Sequence, residues 1–240
     1  MQEHYLKLLG YVFPFFMNAI GASFIFFIPR RRSSEYLASG FSGGVMTGAC
    51  IWSLIMPAVK LSSNLGALSF LPALIGLSIG LLLSCFSDMI LKKHTNQKGS
   101  SKLFLAITLH NIPEGLSVGF ALGSSGLGLI NALTISFGIG TQNLPEGFAV
   151  ALAYKDAGKN NKQSFCYGVL SGAVEPFSAL IGSLLVSFIT FLQPYILTFS
   201  AGAMIYVIAE ELIPKSVQSK KGVLSFIFGF CLMTALDLLF

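Results

Sequence analysis

Two stretches decide the fold: residues 103–123, LFLAITLHNIPEGLSVGFALG, and residues 127–154, LGLINALTISFGIGTQNLPEGFAVALAY. Each is long enough to cross a bilayer, which takes about 20 residues of predominantly apolar helix. Neither contains a Lys or an Arg. Both carry a polar block well inside the run, His110-Asn111-Ile112-Pro113-Glu114-Gly115 in the first and Gln142-Asn143-Leu144-Pro145-Glu146-Gly147 in the second, 32 positions further on. The pattern is a repeat, and it places a carboxylate twice where lipid forbids an isolated charge.

Working outward, the whole chain is of the same kind. Of its 240 residues 54% are hydrophobic and 10% charged, with a mean hydropathy of +0.76. A soluble domain carries about 25% charged residues, so too little polar surface is left to face water, and the apolar content excludes disorder. The chain reads as an all-α integral membrane protein with eight spans, at about 6–28, 37–59, 68–91, 103–123, 127–154, 165–190, 195–213 and 222–240. Helices are required because an open sheet leaves backbone groups unpaired in lipid. The first span lacks a basic leading region and a small-residue cleavage pattern, so it reads as a retained helix. Connections are short, which predicts one compact transmembrane domain over 1–240. The four cysteines, Cys50, Cys85, Cys166 and Cys231, show no CxxC spacing and read as small buried hydrophobes.

Charge gives the orientation. Thirteen of the fifteen basic residues follow alternate spans: Arg30, Arg31 and Arg32 after the first; Lys92, Lys93, Lys98 and Lys102 around the connection after the third; Lys155, Lys159 and Lys162 after the fifth; Lys215, Lys220 and Lys221 after the seventh. Lys7 and Lys60 remain for the other side. The positive-inside rule puts the four basic loops in the cytoplasm and both termini outside. The net charge of +5 is then a topogenic signal, and no nucleic-acid partner is expected.

Of the ten acids, Glu114, Glu146, Glu175, Glu210, Glu211 and Asp237 fall within spans, and Asp88 lies near the end of one. With no Lys or Arg in the middle of any span, compensation falls to protons or a bound cation. Positions i, i+3 and i+4 share a helix face, so His110, Asn111 and Glu114 project together, as do Gln142, Asn143 and Glu146. Imidazole, amide and carboxylate are all metal donors. Pro113 and Pro145 cannot donate to the carbonyls of Leu109 and Thr141, which frees an acceptor beside each set. Gly115 and Gly147 allow close helix approach at the same level. A third acid precedes a proline at Glu175-Pro176. Glu114 and Glu146 balance one divalent ion, and bridging carboxylates can hold two metals roughly 4 Å apart. The mixed N/O set has no thiolate, HExxH is absent, and no nucleophile–base pair is visible, so a transported ion is expected rather than an enzyme's cofactor.

At these residues the chain resembles the ZIP (Zrt/Irt-like) family of divalent metal transporters, closest to its short bacterial GufA-like branch. The HNxPEG and QNxPEG motifs carry the resemblance, supported by Ser200–Pro214, SAGAMIYVIAEELIP, in the seventh span. It implies a 3+2+3 bundle in which spans one to three and six to eight are inverted repeats around spans four and five. It implies a primary site of His110, Glu114, Gln142 and Glu146, and a second position lined by Asn111, Asn143 and Glu175 with the shared acids. The cargo implied is Zn²⁺, with Fe²⁺, Mn²⁺ or Cd²⁺ as further candidates, and no organic cofactor. A homodimer in the lipid of a bacterial inner (plasma) membrane and an elevator-like movement are implied as well. Asp88, Glu210 and Glu211 near cytoplasmic span ends either guide departing ions or are interfacial acids in reach of water. His94 stands alone in the third loop, so no metal store is expected there. The rival readings are a proton- or sodium-linked carrier of a small organic solute, a membrane metal sensor, and a membrane metalloenzyme.

Overall fold

The computed structural model describes residues 2–27, 32–94, 100–124, 128–186 and 190–239. Among them it is helical throughout, without strands. The main helices are α1 (Gln2–Ser23), α2 (Arg32–Ala49), α3 (Met56–Leu61), α4 (Leu71–His94), α5 (Ser100–Gly123) and α6 (Leu129–Asp156). They continue with α7 (Asn161–Gly172), α8 (Val174–Val186), α9 (Gln193–Val207), α10 (Ile213–Ser216) and α11 (Lys220–Leu239). A π-helical segment, Cys50–Ile55, joins α2 to α3, and a second, Ile208–Leu212, joins α9 to α10. Pro57 and Pro214 follow these two segments and cannot supply the next helical N–H.

Among the described residues, six stretches are long and apolar enough to cross a membrane: Glu3–Phe26, Glu35–Leu61, Leu71–Met89, Asn161–Val186, Gln193–Ser216 and Lys220–Leu239. They coincide with six of the eight spans expected from sequence. The other two expected spans fall in α5 and α6, of 24 and 28 residues. At 1.5 Å per residue these are about 36 and 42 Å long. They stand apart from the six, each with its amide and carboxylate block mid-helix. Both helices run on through their prolines, Pro113 and Pro145.

Span limits shift by a few residues. The third begins at Leu71 rather than 68, because a 3₁₀ stretch with Gly66 at φ +56° precedes it. The sixth starts earlier, at Asn161, where Asn160 and Gln163 form a capping box. It is also broken at Ala173, one turn before Pro176 can rejoin the ladder, so it is two helices rather than one. The reading of all four cysteines as buried is corrected: Cys50 is buried, Cys85 is half-buried, and Cys166 and Cys231 are exposed. Lipid removes the reason to hide an apolar thiol, so a hydrophobic run does not specify an inward face.

Packing follows four main seams: α2 on α11, α1 on α6, α5 on α8, and α4 on α9. The motif glycines create two of them. Gly147 lies against the backbone carbonyl of Asn18 in α1, and Gly115 lies against that of Glu175 in α8. No side chain fits between these backbones, which is why each motif ends in glycine. More than half of α6 is buried, while α4 and α11 turn Leu82, Phe86 and Leu238 outward. Gly147→Ala should therefore force a methyl into the Asn18 carbonyl and destabilise the bundle by about 1–3 kcal/mol, read as a lowered unfolding temperature of the detergent-purified protein.

Candidate metal centre

The repeated blocks meet. Asn111 and Glu114 on α5, Gln142, Asn143 and Glu146 on α6, and Glu175 in the first turn of α8 are all at most 1% exposed. The face-sharing expected from helical spacing therefore brings the two sets toward a common interior. His110 lies on α5 one turn before Glu114, and its side chain is outside the described residues.

Three amides organise the centre. Gln142 Nε2 donates to Glu114 Oε1 at 2.6 Å, which ties α6 to α5. Asn143 Nδ2 donates to Glu175 Oε2 at 2.5 Å, which ties α6 to α8. Asn111 Nδ2 donates to the carbonyl of Ser171 at 2.9 Å, one turn before Glu175. In each case the NH₂ end is used within the protein, which leaves the oxygen end free of it. Asn111 Oδ1, Gln142 Oε1, Asn143 Oδ1 and Glu175 Oε1 are buried without a hydrogen-bond partner among the described residues. An unpaired buried acceptor costs about 1–3 kcal/mol, so four together in one interior are a site for something that binds oxygen.

A cation would meet that need. Glu175 sits within electrostatic reach of both Glu114 and Glu146, and the middle of the membrane offers no Lys or Arg in the sequence to balance them. The N-terminal turn of α8 gives Glu175 partial positive charge from its backbone N–H groups. Among the described residues no three His, Cys, Asp or Glu side chains form a closed metal cage. The atoms a cation could use there are carboxylate and amide oxygens, a hard and open set.

The remaining acids lie elsewhere. Asp88 on α4 accepts from Tyr206 Oη of α9 at 3.0 Å, with Glu210 within electrostatic reach of the same phenol. Glu211 is 3.5 Å from Lys215. Asp237 on α11 accepts from Ser53 Oγ at 2.7 Å, in the first π segment. Asp88 and Asp237 tie α4 to α9 and α11 to the π segment.

Three contributors escape a reading of the sequence. Asn18 of α1 is fully buried, donates to the carbonyl of Gly168 at 2.7 Å, and leaves its Oδ1 without a partner among the described residues. Its only sequence signal is a single amide in an apolar span. Cys50 and Met204 approach the centre from the first π segment and α9, with Met204 Sδ 3.9 Å from Gln142 Nε2. In sequence both are ordinary hydrophobes.

Known proteins resemble this chain over most of its length. The family described as ZIP zinc transporter matches residues 100–237. A zinc transporter GufA of Myxococcus xanthus is 37% identical over 83% of this chain and 84% of its own. A zinc transporter ZIP11 of Xenopus tropicalis is 30% identical over 96% of both chains. A zinc transporter ZIPB of Bordetella bronchiseptica is 32% identical over 82% of this chain and 69% of its own.

Removing the amide that orients Glu114 tests the donor geometry directly. Gln142→Leu should weaken divalent-metal binding by about 10- to 100-fold, the scale seen when a ligand or its orienting partner is lost, measured by titration calorimetry on the purified protein.

Proposed function

The chain belongs to the ZIP family of zinc transporters, which are transporters rather than enzymes, and we propose that it carries zinc into the cytoplasm through the interior between α5 and α6. The observation that carries this reading is the orientation of the three amides. Each spends its N–H donors on a carboxylate or carbonyl and turns its oxygen into a buried space shared with Glu114, Glu146 and Glu175.

In this reading the primary position is held by Glu114 and Glu146, with Gln142 and the imidazole of His110. Asn111, Asn143 and Glu175 line a second position that shares the two acids. Zinc sheds water as these atoms replace it, and its two charges offset those of the carboxylates. Because neutral amide oxygens and an imidazole share the coordination with the carboxylates, the ion is held weakly enough to move on. A small cleft lined by Glu35, Ser39, Ala149, Leu152, Leu212 and Lys215 offers the way out. Ala149 lies one turn beyond Glu146 on α6, and the basic loops surround that end of the bundle. The positive-inside rule makes it the cytoplasmic end and puts both termini outside.

The seams favour eight spans in a 3+2+3 repeat. Exchanging spans one, two and three for six, seven and eight, and four for five, turns the α1–α6 seam into α5–α8 and the α2–α11 seam into α4–α9. The two π segments exchange under the same operation, each ahead of a proline. Inverted repeats of this kind place the cargo site at their junction. The seams also divide the bundle into one body of α1, α5, α6 and α8 and another of α2, α4, α9 and α11, whose relative sliding carries the site from one side to the other.

Zinc uptake into proteoliposomes is the deciding measurement. Glu114→Ala and Glu146→Ala should each lower it at least about ten-fold; undiminished uptake by both variants would remove the proposed site. Orientation has its own test. Lys159→Cys, in a background carrying Cys166→Ser and Cys231→Ser, should react with a membrane-impermeant maleimide in intact cells only after permeabilisation. Labelling from outside would reverse the topology.

A further inference from the structure

Sulfur borders the amide at the heart of the site. Gln142 Nε2 lies 2.6 Å from Glu114 Oε1 and 3.9 Å from Met204 Sδ, so one amide bridges a carboxylate and a thioether. Cys50 Sγ donates to that same Met204 sulfur at 3.1 Å and lies 3.8 Å from the carbonyl of Ala201. The two residues are at most 1% exposed and sit among Val118, Ile139, Leu197 and Ala201. Of the four cysteines, Cys50 is the one that the bundle buries.

The backbone singles out the same two positions. Cys50 is the first residue of one π segment, and Met204 stands four residues before the first residue of the other. A π turn inserts an extra residue, re-aims the side chains around it, and recurs at functional sites. Cys50 and Met204 therefore come from opposite repeats of the second body and meet beside Gln142, which Met204 reaches. Cys50 lies within electrostatic reach of both Glu114 and Glu146, so the sulfur pair borders the two acids as well as the amide.

We propose that Cys50 and Met204 form a soft-donor wall of the transport site, which offers cadmium sulfur ligands that zinc does not need and so sets the ratio in which the two ions are carried. This rests on the reading of α5 and α6 as the transport site. Hard oxygen donors satisfy zinc, whereas a thiol and a thioether favour the softer ion. Met204 binds as a neutral, polarisable sulfur. When Cys50 binds, the cadmium–sulfur bond replaces the sulfur–hydrogen bond, and the displaced proton leaves with the water that the ion sheds. The loss of its S–H···S hydrogen bond frees Met204 at the same moment, so both sulfurs become available together.

The test compares cadmium and zinc uptake by proteoliposomes of the full chain as wild type, Cys50→Ser, Met204→Leu and Cys231→Ser. The cadmium-to-zinc ratio should fall about ten-fold in the first two variants and stay unchanged in Cys231→Ser, whose thiol is exposed on α11. A ratio is independent of how much protein folds. Cadmium added to the purified full chain carrying Cys85→Ser, Cys166→Ser and Cys231→Ser should give an ultraviolet sulfur-to-metal charge-transfer band that the further change Cys50→Ser abolishes, a readout that decides even for a variant that no longer transports. An unchanged ratio in both sulfur variants, or a band that survives Cys50→Ser, overturns the proposal. If Glu114→Ala abolishes uptake of both ions while the ratio ignores Cys50 and Met204, transport through α5 and α6 stands and the sulfur wall falls. If Glu114→Ala abolishes neither, the site reading itself fails.

Discussion

The constraint on which this structure turns is the placing of carboxylates where water cannot reach them. Glu114, Glu146 and Glu175 are fully buried in a bundle that crosses lipid, and an uncompensated charge there costs several kcal/mol or more. Local amides meet part of that cost. Gln142 and Asn143, adjacent on α6, each donate to a carboxylate on a different neighbour, Glu114 on α5 and Glu175 on α8. One helix thereby fixes the position of acids on two others. The same bonds point the amide oxygens inward, so the step that makes the carboxylates tolerable also makes the interior an oxygen-lined site.

That arrangement depends on how closely the helices approach. A hydrogen bond between side chains on two helices needs the axes held at a fixed distance, and lipid supplies no hydrophobic force to press helices together. Gly115 and Gly147 allow backbone to rest on backbone beside the very residues that bond. A glycine thus stands one position after the carboxylate of each motif. Asn18 completes the frame on the α1 side, where its side chain reaches Gly168 while its carbonyl meets Gly147.

Much of this was legible beforehand. Six spans were visible as apolar runs because hydrocarbon demands continuous hydrophobicity and helical closure of the backbone. The motif residues were visible because carboxylates and amides are improbable inside such runs, and their i, i+3 and i+4 spacing fixes a common face. The family followed from the same residues. Less legible were the features that depend on neighbours. The break at Ala173 arises from a proline one turn later, and whether a given thiol faces lipid or protein leaves no periodic trace when both surroundings are apolar. Cys50 and Cys231 look alike in sequence, yet one is buried and the other exposed. The acids Asp88 and Asp237 share the composition signal of the motif acids, and only packing separates them, by pairing them with Tyr206 and Ser53.

The sequence by itself determined that the chain lies in a membrane as helices, that two of its segments carry matched metal-donor sets, and which end of each span bears the positive charge. These follow from solvent transfer and helical geometry, which act along one segment at a time. Only the tertiary structure decided which amide holds which acid, which oxygens are left over, and that two sulfurs stand beside Gln142. Those depend on contacts between helices far apart in the chain, whose partners are chosen by close packing and are encoded in no single stretch.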